Sequence, residues 1–258
     1  MNFLAVIGRV IISFLRTSGR IGIFASNAIT CMLTPPYYPR ELLRHMINIG
    51  YYSLPVVGLT TLFTGAALAV NIYEGSSRFN AESTLPTIVV IGMVRELGPT
   101  LCGLIVAGRV SASMAAELGT MRVTEQIDAL HTLSTDPFKY LIAPRIIATV
   151  IMMPLMLVVV ADTIGVLGGY LLATTKLGFN SANYMKSTID FLETIDVIAS
   201  LTKATVFGFF ISLMGCYHGF NARGGAQGVG ISTTNAVVSA CIMILVSNYV
   251  VTEMFFSS

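Results

Sequence analysis

Residues 45–73 carry no charged side chain, from HMINIGYYSLPVV at the start to ALAVNIY at the end. The hydrocarbon core of a bilayer is about 30 Å thick, and a helix needs about 20 apolar residues to cross it. This stretch is therefore long enough to span a membrane. The whole chain suits that solvent, because its mean hydropathy is +0.78 and its charged fraction is 11%, against roughly 25% in soluble domains.

Similar apolar stretches recur along the chain and predict an all-α integral membrane protein with five transmembrane helices. The predicted spans are residues 45–73, 84–108, 142–173, 200–220 and 233–256. Small residues recur in all five, as expected where helix backbones approach closely in lipid. We treat 1–258 as a single domain whose five-span bundle covers 45–256.

The first 33 residues have a different pattern. Their apolar residues recur at spacings of three and four, but Arg9, Arg16 and Arg20 interrupt them, and Pro35–Pro36 follows. Such an apolar stripe is typical of an amphipathic helix that lies in the membrane interface. We therefore predict an interfacial helix over 1–33 rather than a sixth span.

The distribution of basic residues predicts the orientation, because Lys and Arg concentrate on the cytoplasmic side of a membrane protein. With a cytoplasmic N-terminus, ten of the 15 Lys and Arg residues face the cytoplasm and four face the other side, with Arg95 inside the bilayer. The C-terminus is then periplasmic, as is the segment 174–199. On the cytoplasmic side, residues 120–133 follow an expected break at Gly119–Thr120 and have the pattern of an amphipathic helix suited to docking a partner.

Arg95 and Glu96 lie within the second predicted span, where charged side chains are rare and unfavourable. Arg95 is roughly 17 Å into that span at 1.5 Å per residue, close to the bilayer centre. Pro99 lacks an N–H, so the carbonyl of Arg95 loses its helical partner and becomes a free acceptor. Two compatible interpretations follow: a buried ion pair that holds helices in register, or the polar wall of a substrate cavity. Candidate ion partners are Lys203 and Asp162.

Other patterns argue against several classes of function. The sequence from Gly225 to Ser232 nearly matches the phosphate-binding pattern GxxxxGK[ST], but Ile231 replaces the lysine that meets the phosphates. We therefore expect no cofactor on this chain and no ATP hydrolysis by it. HExxH, GxSxG and CxxC are absent, so no catalytic or metal site is predicted, and no Lys/Arg run indicates nucleic-acid binding.

Residues 95–130 read RELGPTLCGLIVAGRVSASMAAELGTMRVTEQIDAL, and this stretch resembles the signature of the MlaE (YrbE-type) permease family. The shared features are ELGP, AGR, AELG-x-M and EQIDAL, in this order and spacing. Later blocks of the family resemble DPFKYLIAPR at 136–145, GGAQGVGISTTNAVV and the terminal NYVVT. The resemblance covers essentially the whole chain.

The resemblance implies the membrane subunit of an ATP-driven phospholipid transporter in the inner membrane of a Gram-negative bacterium, which maintains the lipid asymmetry of the outer membrane. Its implied partners are a second copy of the permease, a cytoplasmic ABC ATPase dimer that binds the ATP, a STAS-domain protein on that ATPase, and a periplasmic MCE-domain hexamer. Phospholipid is the implied substrate.

The resemblance also implies roles for particular residues. The amphipathic segment 120–133 corresponds to a coupling helix, with Arg122, Glu125, Gln126 and Asp128 as candidate contacts to the ATPase. A lipid cavity would lie between two copies of the chain. The candidate residues for that cavity are Arg95, Glu96 and Lys203 for the polar part, and Leu68, Val70, Tyr73 and Phe79 for the lipid tails.

Two other functions remain as alternatives to a lipid permease. A proton-coupled secondary carrier would use Arg95 and Glu96 as a relay, and its transport would follow a pH gradient and ignore ATP. The sequence lacks an obvious inverted repeat or paired broken helices, which are typical of such carriers. A structural anchor that only seats partners in the membrane would tolerate Arg95→Ala and Glu96→Ala with no effect beyond expression.

Overall fold

The computed structural model of the chain describes residues 3–78 and 82–256, and every regular element in those residues is helical. This confirms the predicted all-α fold class. In chain order the α-helices are α1 (Phe3–Leu33), α2 (Pro39–Ile49), α3 (Leu54–Ser77), α4 (Leu85–Gly92), α5 (Gly98–Val106), α6 (Ala112–Val123), α7 (Gln126–Thr132), α8 (Ala143–Met156), α9 (Thr163–Thr175), α10 (Ser181–Phe191), α11 (Thr194–Phe220) and α12 (Gly225–Phe256).

Five helical stretches of the described chain are long and apolar enough to cross a membrane, which confirms the predicted number. They are span 1 (Pro39–Ser77), span 2 (Leu85–Val123), span 3 (Phe138–Thr175), span 4 (Thr194–Phe220) and span 5 (Gly225–Phe256). Because successive spans alternate in direction, α7 and α10 lie at opposite ends of the bundle. We call these the α7 end and the α10 end.

The observed spans run further than the predicted ones. Span 2 has 39 residues, about 58 Å of helix at 1.5 Å per residue, or nearly twice the thickness of the hydrocarbon core. A charged residue marks where a helix can leave the lipid, but it does not end the helix. Span 4 begins at Thr194, six residues before the predicted start, so the last part of the predicted outer segment 174–199 belongs to the bundle.

Spans 2 and 3 each contain two π-helical turns, at Met93–Leu97, Ala107–Ser111, Phe138–Ile142 and Leu157–Asp162. A π turn holds one more residue than an α turn and is frequent at functional sites. In the first of them, the N–H of Gly98 donates to the carbonyl of Met93, immediately before Pro99. The disturbance expected from Pro99 is therefore absorbed by a widened turn around Arg95 and Glu96.

Spans 1 and 3 approach each other through glycines. A Cβ atom on Gly65 would overlap the backbone carbonyl of Gly165, and one on Gly168 would overlap the backbone of Leu62. Backbones come this close only where side chains are absent, which is the usual way helices associate in lipid. The crossing holds α3 against α9, while span 2 packs on spans 4 and 5.

Helix α1 is continuous, and among the described residues it is not one of the five helical stretches that could cross a membrane. Its second half joins the bundle, where Phe24 and Ala28 are buried and the ring of Phe24 lies 5.2 Å from that of Phe138. In its first half, Ile11 and Leu15 are exposed. This shape suits the predicted interfacial helix, whose position in the membrane stays a prediction.

The predicted cytoplasmic helix 120–133 is divided differently from expectation. Residues 120–123 end α6, and α7 starts only after Glu125, which is in the left-handed conformation with φ 60°. The expected break at Gly119–Thr120 is wrong, because Gly119 lies within α6 and packs against Val229. The side chain of Ile127 is fully buried and fixes α7 to the bundle.

Candidate functional site

Spans 2, 4 and 5 meet at a cluster of charged side chains, with Glu96 at its centre. One carboxylate oxygen of Glu96 accepts from Lys203 Nζ and from Thr252 Oγ1, each at 2.9 Å. The other oxygen accepts from Asn248 Nδ2, also at 2.9 Å. Glu96 is therefore held by three donors on two helices, α11 and α12. We call Arg95, Glu96, Asp196, Lys203, Asn248 and Thr252 the midspan cluster.

Lys203 bonds to two acceptors of span 2 at once. Besides the carboxylate of Glu96, its Nζ donates to the backbone carbonyl of Arg95 at 2.6 Å. This carbonyl is the acceptor that the sequence predicted to be free, because Pro99 cannot supply the helical N–H. Lys203 thus satisfies a backbone group at the π turn and a charged side chain together, and its own side chain is 0% exposed.

The second ion pair of the cluster joins Arg95 to Asp196. Arg95 Nε donates to Asp196 Oδ1 at 2.6 Å, and the guanidinium carbon lies 4.4 Å from the centre of the Phe256 ring. The other oxygen of Asp196 accepts from the backbone N–H of Glu193, and so caps the start of α11. Asp196 therefore fixes the N-terminus of span 4 as well as the arginine of span 2.

The cluster balances two cationic and two anionic groups, and it is buried on one side only. The side chains of Asp196 and Lys203 are 0% exposed, whereas those of Arg95 and Glu96 are 31% and 42% exposed. A charge in an apolar medium is tolerated when it is paired and hydrogen-bonded. Both sequence interpretations are thus compatible with this geometry: the ion pairs join three spans, and the outer sides of Arg95 and Glu96 form a polar surface.

Only one of the two candidate ion partners is correct. Lys203 pairs with Glu96, and its depth agrees once span 4 is known to begin at Thr194: it lies nine residues into its span, and Glu96 lies eleven into span 2. Asp162 instead accepts from Ser200 Oγ at 2.8 Å, on the same helix α11. Its other oxygen faces Gly98, where a Cβ atom would collide with it.

The residues proposed for lipid tails lie apart from the midspan cluster. Leu68 and Tyr73 pack into an apolar group of spans 1–3 near the α10 end, and the ring of Tyr73 lies 6.2 Å from that of Phe179. Val70 is half-buried on α3. Phe79 lies outside the described residues. Contact of these residues with lipid stays a prediction.

Of the four residues proposed to contact the ATPase, two form an ion pair with each other and the other two are exposed. Arg122 Nη1 bonds to Asp128 Oδ1 at 2.6 Å and lies over the ring of Phe220. This ties the last turn of α6 to α7. Glu125 and Gln126 are exposed at the turn between those helices. The structure therefore leaves these two side chains presented at the α7 end.

Sequence reasoning did not include Asn248, Thr252 or Asp196 in the site. Asn248 and Thr252 lie four residues apart in an apolar helix, so they share one face of α12. That spacing was a usable signal for a polar contact. Asp196 falls in the predicted outer segment 174–199, because charged residues there place the predicted start of span 4 at residue 200.

Comparison with known proteins agrees with this architecture. The family model described as Permease MlaE matches residues 42–254. A probable ABC transporter permease protein of Rickettsia bellii is 54% identical over 99% of this chain and 98% of its own length. The intermembrane phospholipid transport system permease protein MlaE of Haemophilus influenzae is 30% identical over 100% of this chain and 99% of its own. The chloroplastic protein TRIGALACTOSYLDIACYLGLYCEROL 1 of Arabidopsis thaliana is 34% identical over 92% of this chain and 67% of its own.

Five apolar spans, three of which meet at a charged cluster, define a multi-pass membrane protein. With a family model that covers most of the chain and full-length relatives, the assignment becomes specific. The chain belongs to the MlaE permease family, a family of ABC transporter permeases.

Proposed function

We propose that this chain is the membrane subunit of an ATP-driven phospholipid transporter in a bacterial inner membrane. The observation that carries the proposal is the half-open midspan cluster, which keeps Arg95 and Glu96 partly exposed within span 2, ten and eleven residues after its start at Leu85. A phospholipid head group carries charge, and its passage through the membrane needs polar groups along the way. The name of the Haemophilus influenzae relative supports phospholipid as the substrate.

Two copies of the chain would form the translocation unit, with their midspan clusters facing a shared cavity. ATP would bind a cytoplasmic ATPase dimer carrying a STAS-domain protein, and a periplasmic MCE-domain hexamer would receive or deliver the lipid. The α7 end would face the cytoplasm together with the N-terminus, and the C-terminus would be periplasmic. Transport of this kind would maintain the lipid asymmetry of the outer membrane.

The turn between α6 and α7 is the proposed contact to the ATPase. Its backbone is held by the Arg122–Asp128 ion pair and by buried Ile127, so a push on α7 would be transmitted to α6 and span 2. Glu125 and Gln126 project from this turn. Glu125 is in a left-handed conformation that glycine adopts more readily, so Glu125→Gly removes the carboxylate and preserves the turn.

The test is lipid transport by vesicles that contain the complete complex. We expect transport to need ATP, and to fall in Glu125→Gly while the thermal stability of the permease stays equal or rises. Thr132→Gly, at an exposed position on α7, is the matched control for added chain flexibility. Transport that persists without ATP and follows a proton gradient would instead support the secondary carrier, and full transport by Arg95→Ala and Glu96→Ala would support the structural anchor.

A further inference from the structure

The α10 end contains a cavity and a cleft whose linings share no residue with the midspan cluster, although Val197 of the cavity is next to Asp196 in sequence. Between α4, α9 and α10 there is a cavity of about 390 Å³, whose walls include Val90, Val94, Val166, Leu167 and Met185. Beside it lies an open cleft of about 600 Å³ with a polar lining that includes Asn183, Lys186, Ser187 and Asp190. Both spaces are lined by Tyr184, which is the residue they share.

Among the described residues, the hydroxyl of Tyr184 has no polar partner where the cavity and the cleft meet. Its side chain is almost fully buried, and its hydroxyl forms no hydrogen bond within the described chain. Buried polar groups are nearly always paired, so an unpaired one marks a place for a ligand or a water molecule. Burial raises the pKa of Tyr184 to about 12, which keeps the hydroxyl protonated and able to donate.

The cavity opens toward the side of the bundle rather than toward its centre. Leu167 and Met185 line the cavity and are 41% and 40% exposed, so they form its rim. Helix α10 also exposes Ile189 and Phe191, two large apolar side chains that water would not favour. These exposures are typical of a helix that lies in the membrane interface, with its apolar face in the lipid.

The polar cleft carries one charge of each sign. Lys186 and Asp190 are four residues apart on α10 and therefore lie on the same face, yet no ion pair joins them in the described chain. A phosphate can bind the lysine while an ammonium group binds the aspartate. The cavity of about 390 Å³ is far larger than the space one water molecule needs, and its lining is mostly apolar, so it suits a hydrocarbon chain.

We propose that a zwitterionic glycerophospholipid of the surrounding leaflet binds here, with one acyl chain in the apolar cavity and its head group between Lys186 and Asp190. The glycerol or ester oxygens would accept the hydrogen bond from Tyr184. The second chain would remain in the bilayer, beyond the rim at Leu167. The site deepens the proposed transport function and rests on it for the meaning of the bound lipid, which enters or leaves the permease from the side.

The test is photo-crosslinking of the full-length permease alone, without ATPase or ATP. The protein is placed in phosphatidylglycerol nanodiscs with a small fraction of phosphatidylethanolamine that carries a diazirine at the end of one chain. We expect adducts on the cavity walls. Val166→Phe, which fills the cavity, should lower them about tenfold, whereas Leu171→Phe, on the same helix but exposed and outside the cavity, should leave them unchanged.

Further variants and a second probe complete the experiment. Leu167→Trp blocks the rim at a half-exposed position, where a larger side chain can extend outward, so it replaces Val166→Phe if that variant fails to fold. The double change Lys186→Gln with Asp190→Asn should lower adducts about threefold, whereas Lys176→Gln, outside the cleft, should not. A diazirine fatty acid without a head group should label the cavity less than the phospholipid.

Adducts spread evenly over the lipid-facing spans, unchanged adducts in both filling variants, or equal labelling by the fatty acid would overturn the site. If ATP-driven transport persists in that case, the proposed function stands without it. If the adducts form as expected but transport needs no ATP, the proposed function fails and the binding site remains.

Discussion

Lys203 shows how one side chain can decide whether a charge is tolerated in the membrane. Its ammonium group has three donors, and two of them are used by Glu96 and by the Arg95 carbonyl that Pro99 leaves free. Removing one partner of a buried ion pair is far more damaging than removing both, because the remaining charge loses its compensation. The midspan cluster should therefore respond very differently to single and paired neutralisation.

At this scale we predict that Lys203→Met destabilises the permease by about 3 kcal/mol. The change leaves Glu96 with two neutral donors and returns the Arg95 carbonyl to an unpaired state. The double variant Lys203→Met with Glu96→Gln should recover part of that loss, because no unpaired carboxylate remains. The measurement is denaturant unfolding in detergent, followed for wild type, both single variants and the double variant.

Lys176→Met is the control, since Lys176 is an exposed lysine near the α10 end and should change stability little. Equal stability of Lys203→Met and wild type would contradict the geometry of the midspan cluster. So would a double variant whose loss of unfolding free energy exceeds the sum of the losses in the two single variants.

At the scale of elements, glycines and π turns set how the spans fit together. The crossing of α3 and α9 depends on Gly65 lying against Gly165, because a single added carbon would meet the backbone of the other helix. The π turn at Met93–Leu97 has a local cause, since it ends two residues before Pro99. One feature brings helices together and the other widens a helix at its charged residues.

We predict that Gly65→Ala lowers the stability of the permease by about 1–3 kcal/mol, the usual range for overpacking a tight contact. Gly75→Ala lies on the same helix with open space around the added carbon, so it should be neutral or stabilise by up to about 1 kcal/mol, because alanine favours helix. Thermal unfolding of the two variants side by side measures the difference. A loss of similar size in both would mean that helix propensity, and not the crossing, decides the outcome.

At the scale of the whole molecule, span 5 is the least enclosed part of the bundle. Its large apolar side chains at Ile242, Leu245, Val246 and Tyr249 are all more than half exposed, and Asn248 and Thr252 of the same helix contact Glu96. Such a face contacts either lipid or another protein surface. Under the proposed function, the second copy of the permease would lie along it, so that two midspan clusters border one cavity.

We predict that Tyr249→Cys, in a chain whose four native cysteines are replaced by alanine, forms a disulfide-linked dimer in membranes treated with oxidant. Tyr249 is 69% exposed and next to Asn248 of the midspan cluster. Leu155→Cys, on the exposed side of α8 in span 3, is the matched control and should stay monomeric. Gel electrophoresis without reducing agent measures both. Monomeric Tyr249→Cys, or equal linkage of both variants, would contradict a dimer formed along span 5.

Apolar length and charge position alone determined that the chain is an all-α protein with five spans, because the thickness of the bilayer sets how many apolar residues a crossing needs. They also determined that Arg95 and Glu96 lie within a span, and that Pro99 frees a carbonyl there. These are local consequences of chain chemistry, so they can be derived from neighbouring residues.

The tertiary structure alone decided which groups meet. Asp196, which the sequence places outside the membrane, is the ion-pair partner of Arg95. Asn248 and Thr252 bond to Glu96 although they lie 152 and 156 residues from it in sequence. The helix breaks at Glu125 and not at the predicted Gly119, because Gly119 packs closely against Val229 within α6. Pairing and packing depend on how helices rotate and shift against each other, which the order of residues in one helix does not specify.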